Sequence, residues 1–350
     1  MPEYVEIGGR RVGSGYPTFV IAEAGVNHNG DLELARQLID VAVQAKADAV
    51  KFQTFITEES ISPLAPQAAY QRENTGKPES MFEMVKRLEL PMEAFAELKY
   101  YCQSRNIVFL SSPFDLQSVE VLDRLDVPAF KIASGEITNL PFLEYVAARR
   151  RPIILSTGMS YLAEVETALR TIEQSGNPPV ILLHCVSNYP AAAADVNLRA
   201  MSTMAREFEL PVGYSDHTSG VEVALAAVAL GACVIEKHFT LDRNLPGPDH
   251  KASLEPDELI ALVSGIRMVK DALGDGRKQP AASEMDTARV ARKSIVAARD
   301  IHPGEVLTRE SIAIKRPGTG LLPALRDQVI GRKARHEISA GTPITLEVLE

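Results

Sequence analysis

The chain has 350 residues, of which 45% are hydrophobic and 24% charged, and its formal net charge is −9. A chain of this length buries roughly 75% of its unfolded surface on folding, so a large core and one or two domains are expected. The acidic balance argues against binding to nucleic acid and against docking on an anionic membrane.

We expect neither a signal peptide nor a membrane span. The amino terminus lacks an apolar stretch behind a basic start, and the apolar runs are shorter than the ~18 residues that a membrane-spanning helix needs. Cys102, Cys185 and Cys233 are odd in number and lie in apolar runs. Reduced, buried thiols of this kind favour a cytoplasmic location.

The predicted elements begin with a short hairpin over residues 1–17. Eight apolar runs rich in Val, Ile and Phe follow, and most are separated by segments of helical periodicity. These runs are Thr18–Gly25, Ala49–Phe55, Val108–Phe114, Ala129–Glu136, Pro152–Met159, Val180–Val186, Val212–His217 and Cys233–Phe239. Strands that are apolar throughout are buried on both faces, as in parallel sheets. Eight such units over ~255 residues predict a (β/α)8 TIM barrel. A doubly wound open sheet is the alternative, although no Gly-x-Gly-x-x-Gly turn follows the first strand.

Two further segments depart from this rhythm. Residues 56–91 form a long polar insert, which predicts a functional loop such as a lid, or else a plain surface excursion. We assign the barrel to residues 1–276, a linker to 277–292 and a small module to 293–350. A weak repeat relates residues 299–312 of this module to 336–349 and predicts two similar halves. The module is small for an independent domain, so we expect it to dock on the barrel or on a partner chain.

Polar side chains follow the apolar part of all eight runs. Because the carboxyl ends of barrel strands point into the active site, they predict a polar pocket there. Lys51 and Lys131 lie inside strands that should otherwise be apolar, and each needs a counter-charge. Neighbouring Ser, Thr and Gly residues favour a phosphate or carboxylate ligand. The alternative is a structural network in which the two lysines pair with Glu23 and Glu136.

His217 and His238 end the seventh and eighth runs and are expected side by side at one edge of the sheet. Two imidazoles, with water and substrate oxygens, suit Mn²⁺ or a similar divalent ion. Hydrogen-bonded core histidines are the alternative. If the barrel closes, Glu23 lies in the same sector. His28 and His184 are weaker candidates, for which we favour structural roles.

Eight motifs in order along the chain resemble the sialic acid synthases. They are Ile-Ala-Glu-Ala-Gly-Val-Asn-His-Asn-Gly (21–30), Lys-Phe-Gln-Thr (51–54), Ser-Ser-Pro-Phe (111–114), Lys-Ile-Ala-Ser-Gly-Glu (131–136), Leu-Ser-Thr-Gly-Met (155–159), Gly-Tyr-Ser-Asp-His-Thr (213–218), Glu-Lys-His-Phe-Thr (236–240) and Lys-Arg-Pro-Gly-Thr-Gly (315–320). The resemblance implies a TIM barrel followed by a small C-terminal antifreeze-like (SAF) domain, in a domain-swapped homodimer. It also implies condensation of phosphoenolpyruvate with N-acetylmannosamine, giving N-acetylneuraminate and phosphate.

The resemblance also implies roles for individual residues. Those expected to bind phosphoenolpyruvate are Lys51, Ser112, Lys131, Ser134, Ser156 and Ser187. Those expected to hold the open-chain sugar are Glu23, Gln53, Tyr189 and Asp249, together with Arg316 from a second copy of the chain. His217 and His238 would bind Mn²⁺, or Mg²⁺ or another divalent cation, which polarises the sugar aldehyde. Glu23 or Glu136 would transfer protons, and with Lys51 and Lys131 they form the expected catalytic group.

Other functions remain open at this point. A legionaminate synthase using 2,4-diacetamido-2,4,6-trideoxymannose would differ in the sugar alone, and a pseudaminate synthase is a more distant variant. A phosphorylated sugar would need an extra basic group near its far end. A metal-dependent barrel aldolase would work without phosphoenolpyruvate. As a non-enzymatic alternative, residues 293–350 would bind ice or carbohydrate.

Overall fold

The structure, a computed structural model, describes residues 4–68, 71–72, 74 and 79–350. It divides into two compact units, Met1–Gly274 and Asp275–Glu350. The boundaries that we assign from the sequence stay a prediction. Within the described ranges, no helix combines the length and the apolar character needed to cross a membrane.

The first unit is a barrel preceded by an antiparallel hairpin of β1 (Tyr4–Ile7) and β2 (Arg10–Gly13). Its eight parallel strands are β3 (Phe19–Gly25), β4 (Ala49–Thr54), β5 (Val108–Pro113), β6 (Phe130–Ile132), β7 (Ile153–Ser156), β8 (Val180–Cys185), β9 (Val212–Asp216) and β10 (Val234–His238). The hydrogen-bonded order is β5-β4-β3-β10-β9-β8-β7-β6, so the first and last barrel strands are neighbours. The ends of this order, β5 and β6, are in contact. The predicted TIM barrel is confirmed.

Helices connect the successive strands. Among the described residues of the first unit they include α1 (Leu32–Gln44), α2 (Thr57–Ser60), α3 (Met81–Lys86), α4 (Ala94–Ser104), α5 (Leu116–Arg124), α6 (Leu140–Ala147), α7 (Leu162–Gln174), α8 (Arg199–Phe208), α9 (Glu222–Ala229) and α10 (Pro256–Leu273). Asp31 caps α1 by accepting hydrogen bonds from the first turn. The buried side chains of α1, Ala35, Leu38, Ile39 and Ala42, recur at helical spacing, so one face packs on the barrel.

Each barrel strand is buried on both faces. In β3, Val20 and Ala22 pack in the layer between sheet and helices, whereas Phe19 and Ile21 pack in the barrel interior. Neighbouring side chains along a strand point to opposite faces. Glu23 therefore follows Phe19 and Ile21 on the inner face, at the carboxyl end.

The opposite end of the barrel is closed by the hairpin. Its buried side chains pack in the same interior cluster as the apolar side chains of the strands. Asp48, just before β4, holds this end together. Its buried carboxylate accepts hydrogen bonds of 2.7 Å from the backbone N–H of Val20 and from Arg267 of α10, and it also pairs with Arg10 of β2. The carboxyl end of the barrel is therefore the end that is left for a site.

The second unit contains β11 (Ser294–Ala297), β12 (Ile312–Lys315), α11 (Met285–Ala291) and α12 (Arg326–Val329). Its repeat is visible in the backbone. Ile301 and Ile338, equivalent positions of the two copies, exchange hydrogen bonds of 2.9 Å in both directions. Gly304 and Gly341, which are also equivalent, both have positive φ angles, of 78° and 83°. The sequence repeat thus corresponds to two similar halves that pair with each other.

We expect Asp48→Asn to lower the free energy of unfolding of the barrel by about 2 kcal/mol, because a charged hydrogen-bond acceptor is lost in a buried position. The two arginines are partly exposed, so water screens part of the loss. Urea unfolding followed by circular dichroism measures the change. An unchanged midpoint would contradict the assigned role of Asp48, and Asp286→Asn on exposed α11 is the control.

Candidate active site

The inner faces of the strands change from apolar to polar toward their carboxyl ends. On β10, Val234 packs in the barrel interior, and Glu236 and His238 follow on the same face. The same alternation brings Lys51 of β4 and Lys131 of β6 into the barrel, where both are 3% exposed. Charged side chains from separate strands therefore meet in one cavity because side chains two residues apart share a face.

Four buried charges form a cluster in this cavity. Nζ of Lys51 lies 2.7 Å from Oε2 of Glu23 and 3.6 Å from Oε2 of Glu236. Nζ of Lys131 lies 3.4 Å from Oε1 of Glu236, and Ser215 donates a 2.8 Å hydrogen bond to that same oxygen. Each ammonium group thus has the counter-charge that burial demands.

The two carboxyl groups of the cluster differ in acidity. Burial raises the pKa of Glu23 to about 7, although the neighbouring Lys51 acts in the opposite direction. Burial also tends to raise the pKa of Glu236, but Lys131 and Lys51 outweigh it and hold this pKa at about 2. At neutral pH the cluster combines an ionised carboxylate with one that can readily gain or lose a proton.

Three serine hydroxyl groups line the same cavity as Lys131. They belong to Ser134, Ser156 and Ser187. Ser134 accepts a 3.0 Å hydrogen bond from the backbone N–H of Gly158. A Cβ atom at position 158 would lie closer than 3.0 Å to the hydroxyl oxygens of Ser134 and Ser187, so glycine lets the backbone approach them. Hydroxyl and amide donors that share a cavity with an ammonium group can bind a phosphate or carboxylate.

The imidazoles of His217 and His238 lie side by side, with ring centroids 5.5 Å apart. The ring of Tyr189 is centred 4.1 Å from the first and 5.5 Å from the second. Nδ1 of His217 lies 2.7 Å from the carbonyl oxygen of Val186, so it donates its proton there and Nε2 keeps a lone pair. Nδ1 of His238 is buried and has no hydrogen-bond partner among the described residues.

This histidine pair fits a divalent metal ion. Burial lowers the pKa of His217 to about 4. Burial, together with His217 and Lys51, holds the pKa of His238 well below its ordinary value. Both rings are therefore neutral at physiological pH, which is the metal-binding form. In the described part of the chain, no group of three or more His, Cys, Asp or Glu side chains is arranged for a metal. An ion at this pair would keep open positions for water or substrate.

The central cavity has a volume of about 520 Å³, and a cavity of about 250 Å³ adjoins it. Gln53, Tyr189 and His238 line both. Glu136 and Asp249 are the carboxyl groups of the smaller cavity, and burial raises the pKa of Asp249 to about 6. The remaining wall is mainly apolar and includes Val26, Phe55, Ile61, Met81, Met84, Val85, Leu88 and Phe114.

Part of the insert at residues 56–91 forms this wall. Gln71 and Met81 line both cavities, and Met84 and Val85 of α3 line the smaller one. The insert therefore belongs to the site, which favours a functional loop over a plain surface excursion. Residues 69–70, 73 and 75–78 of the insert lie outside the described residues.

The structure brings most of the predicted site residues together. Those on the wall of the central cavity are Glu23, Lys51, Gln53, Ser112, Lys131, Ser134, Ser156, Ser187, Tyr189, His217 and His238. Glu136 and Asp249 line the adjoining cavity. Arg316 follows β12 in the second unit, and its contact with a sugar stays a prediction.

The suggested pairing of Lys131 with Glu136 is wrong. The strand of Lys131 ends at Ile132, and Glu136 lies in the turn beyond it, partly exposed and bonded to Asn139 at 2.8 Å. Lys131 faces Glu236 instead. Glu236 is among the polar residues at the strand ends, but the family resemblance implies no role for it; its spacing of two from His238 places both on one face of β10.

Comparisons with known proteins agree with this arrangement. The profile of the NeuB family matches residues 38–278, and that of the SAF domain matches residues 292–350. The chain is 50% identical over 319 residues to the N,N'-diacetyllegionaminic acid synthase of Campylobacter jejuni, covering 91% of this chain and 96% of that protein. It is 46% identical over 342 residues to the protein of the same name from Legionella pneumophila, covering 97% and 96%.

Solved structures also match. The chain resembles the crystal structure of N-acetylneuraminic acid (sialic acid) synthetase from Leptospira borgpetersenii with a TM-score of 0.71 and 40% identity, over 81% of this chain and 94% of that one. The profile, the relatives and the strand-end residues all agree. This chain belongs to the NeuB family and carries a SAF domain at residues 292–350.

Proposed function

We propose that this enzyme is a nonulosonic acid synthase. The methylene carbon of phosphoenolpyruvate bonds to the aldehyde carbon of an N-acylated mannose-type sugar, water adds at C2 of the phosphoenolpyruvate, and phosphate leaves by cleavage of the C–O bond. The observation that best supports it is the convergence of two buried lysines and two neutral histidines on one cavity. A metal-dependent aldolase without phosphoenolpyruvate would have little use for the lysines and the serines beside them.

Lys51 and Lys131 bind the phosphate and carboxylate groups of phosphoenolpyruvate in this proposal. Ser112, which accepts a 3.0 Å hydrogen bond from Lys51, and Ser134 extend the anion site on either side. Each charged hydrogen bond contributes about 1.5–3 kcal/mol. Fixing both ends of the molecule also orients its methylene carbon toward the acceptor, which lowers the entropic part of the barrier.

Glu23 is our choice for the proton-holding group. Its pKa of about 7 lets it take or release a proton near neutral pH, whereas the pKa of Glu236 keeps that group ionised. When Glu23 is protonated and a divalent cation is bound, the two lysines, Glu236 and the cation together balance the charge of fully ionised phosphoenolpyruvate. Glu136, in the smaller cavity, is the second candidate for proton transfer.

Mn²⁺, or Mg²⁺ or another divalent cation, is the cofactor that we propose for His217 and His238. Such an ion supplies Lewis-acid chemistry at the aldehyde oxygen of the acceptor. The chain prepares the site in two ways. The carbonyl of Val186 fixes the tautomer of His217, and the ring of Tyr189 packs against both imidazoles.

The acceptor that we propose is 2,4-diacetamido-2,4,6-trideoxymannose. Its methyl groups suit the apolar wall of the smaller cavity, and Gln53 and Asp249 there offer polar contacts. The names of the Campylobacter and Legionella relatives support this choice. Among the described wall residues of that cavity there is no Lys or Arg, so a phosphorylated sugar is disfavoured. N-acetylmannosamine is the second candidate, supported by the similarity to the Leptospira synthetase.

We also propose a domain-swapped homodimer in the cytoplasm. In this arrangement Arg316 of one copy reaches the acyl group of the sugar bound to the other. The family resemblance supports the exchange, and the three free, buried cysteines suit a reducing compartment.

We expect His238→Ala to weaken Mn²⁺ binding by more than about 100-fold. Removing a residue that only hydrogen-bonds to a metal ligand typically lowers metal affinity by about 10–100-fold, and removing the ligand itself lowers it further. Calorimetric titration of the metal-free protein measures it, and condensation should be lost as well. His184→Gln is the matched control, since His184 also lies near the end of its strand but bonds to the carbonyl of Val196. Unchanged Mn²⁺ affinity in His238→Ala would refute the metal site.

We expect the protein to convert phosphoenolpyruvate and the diacetamido sugar, in the presence of Mn²⁺, into a nine-carbon product whose mass matches their condensation. Mass spectrometry identifies the product, and the rate should be higher than with N-acetylmannosamine as the acceptor.

Met84→Gln should lower kcat/KM for the diacetamido sugar about tenfold, because it places an amide against the apolar groups of the sugar. The KM for phosphoenolpyruvate should stay the same. Met268→Gln, at an exposed position of α10, is the control. An unchanged sugar preference in Met84→Gln would contradict this placement of the acceptor.

The exchange of domains predicts complementation between inactive variants. Arg316→Ala should impair use of the sugar, and Lys131→Ala should impair use of phosphoenolpyruvate. Co-expressed, the two should form mixed dimers in which one site has both residues, so part of the activity returns. Phosphate release by the purified mixed dimer measures it. Activity no higher than that of either variant alone would contradict a shared site.

A further inference from the structure

The outer face of β9 and β10 carries a second buried ion pair, directly behind the histidines. The side chains of Asp216 and Lys237 are 0% and 1% exposed, and Nζ of Lys237 lies 2.7 Å from Oδ2 of Asp216. They precede His217 and His238 by one residue each. Ser215 and Glu236 line the cavity, so alternation along the strands places Asp216 and Lys237 on the outer face. His238 ends β10 and His217 directly follows β9, and both imidazoles line the cavity.

Asp216 forms hydrogen bonds with residues on both sides of it in the chain. Its Oδ1 accepts hydrogen bonds from the backbone N–H of Thr218 at 2.9 Å, the hydroxyl of Thr218 at 2.8 Å and the hydroxyl of Tyr214 at 3.1 Å. Lys237 also donates to the carbonyl oxygen of Thr218. The residues on both sides of His217 are thereby tied to each other and to the residue before His238.

The ladder between the two strands ends at this pair. Asp216 of β9 and Lys237 of β10 are the last residues at which these two strands pair. The ion pair therefore joins the two strands one residue before each imidazole. A buried ion pair contributes little net stability compared with apolar side chains of the same size. Its stronger effect is to fix one arrangement of the groups that it joins.

The positions of the two imidazole rings depend mainly on the backbone that carries them, because the rings make few hydrogen bonds of their own. His217 has one hydrogen bond to a carbonyl, that of Val186. Nδ1 of His238 has none within the described residues, so packing and the end of β10 set the position of its ring. A shift of either strand end would change the separation of the two nitrogens that a metal must reach.

We propose that Asp216 and Lys237 are positioning residues for metal binding by His217 and His238. This inference rests on the metal site of the proposed function. The ion pair touches neither metal nor substrate. It holds the two strand ends in register, so that both imidazoles can bind one ion without a prior rearrangement.

The test compares Mn²⁺ affinity in two variants that each lose a buried, paired carboxylate. Asp216→Asn acts behind the histidines, and Asp48→Asn acts at the opposite end of the barrel. Both substitutions should lower the midpoint temperature of thermal unfolding. Mn²⁺ binding to the metal-free protein is measured by calorimetry and by electron paramagnetic resonance, at a temperature well below that midpoint. The affinity should weaken about tenfold in Asp216→Asn and stay at the wild-type value in Asp48→Asn.

Equal Mn²⁺ affinity in these two variants and the wild type would overturn the positioning role while leaving the metal site intact. A wild-type protein that binds no Mn²⁺ would overturn the metal site, and this inference with it. If Asp216→Asn does not fold, Tyr214→Phe, which removes one donor to Asp216, takes its place. A loss of about threefold would support the inference, and unchanged affinity would contradict it.

Discussion

Two lysines and two glutamates share one cavity at the carboxyl end of the barrel, and the rest of the site depends on how they balance. An isolated ammonium group buried at this depth would be costly, so Lys51 and Lys131 require Glu23 and Glu236. Their spacing places ionisable groups within reach of a bound anion while keeping the empty cavity close to neutral. The unequal acidity of the two carboxyl groups follows from the same geometry, because Glu236 faces both lysines.

The fold closes the amino end of the barrel beneath this cluster and fixes the strand ends around it at the carboxyl end. The hairpin and Asp48 seal the amino end of the barrel with apolar side chains and arginine contacts. At the other end, the outer pair of Asp216 and Lys237 ties the strands that carry the histidines. The insert adds an apolar wall on one side. Charge at the centre and apolar surface beside it together define which substrates the site can accept.

The alternation of side chains explains both what the sequence revealed and where interpretation failed. Counting in twos from His238 leads to Glu236, and this spacing was readable without a structure. In the sixth apolar run, Cys185 and His184 are adjacent and so point to opposite faces. Cys185 lines the central cavity and His184 does not. The rule fails for Glu136, because the strand of Lys131 ends before it and a turn changes the direction of the chain.

The sequence by itself determined the eight buried strands, the polar residues at their ends, the repeat in the last module and the resemblance that names the family. These are local patterns, written in the period of two along strands and of 3.6 along helices. Tertiary structure decided which carboxylate meets which lysine, that the insert forms a wall of the site, and that Asp216 and Lys237 lie behind the histidines. Those outcomes depend on where strands end and which strands are neighbours, and distances between residues far apart in the chain appear once the barrel has closed.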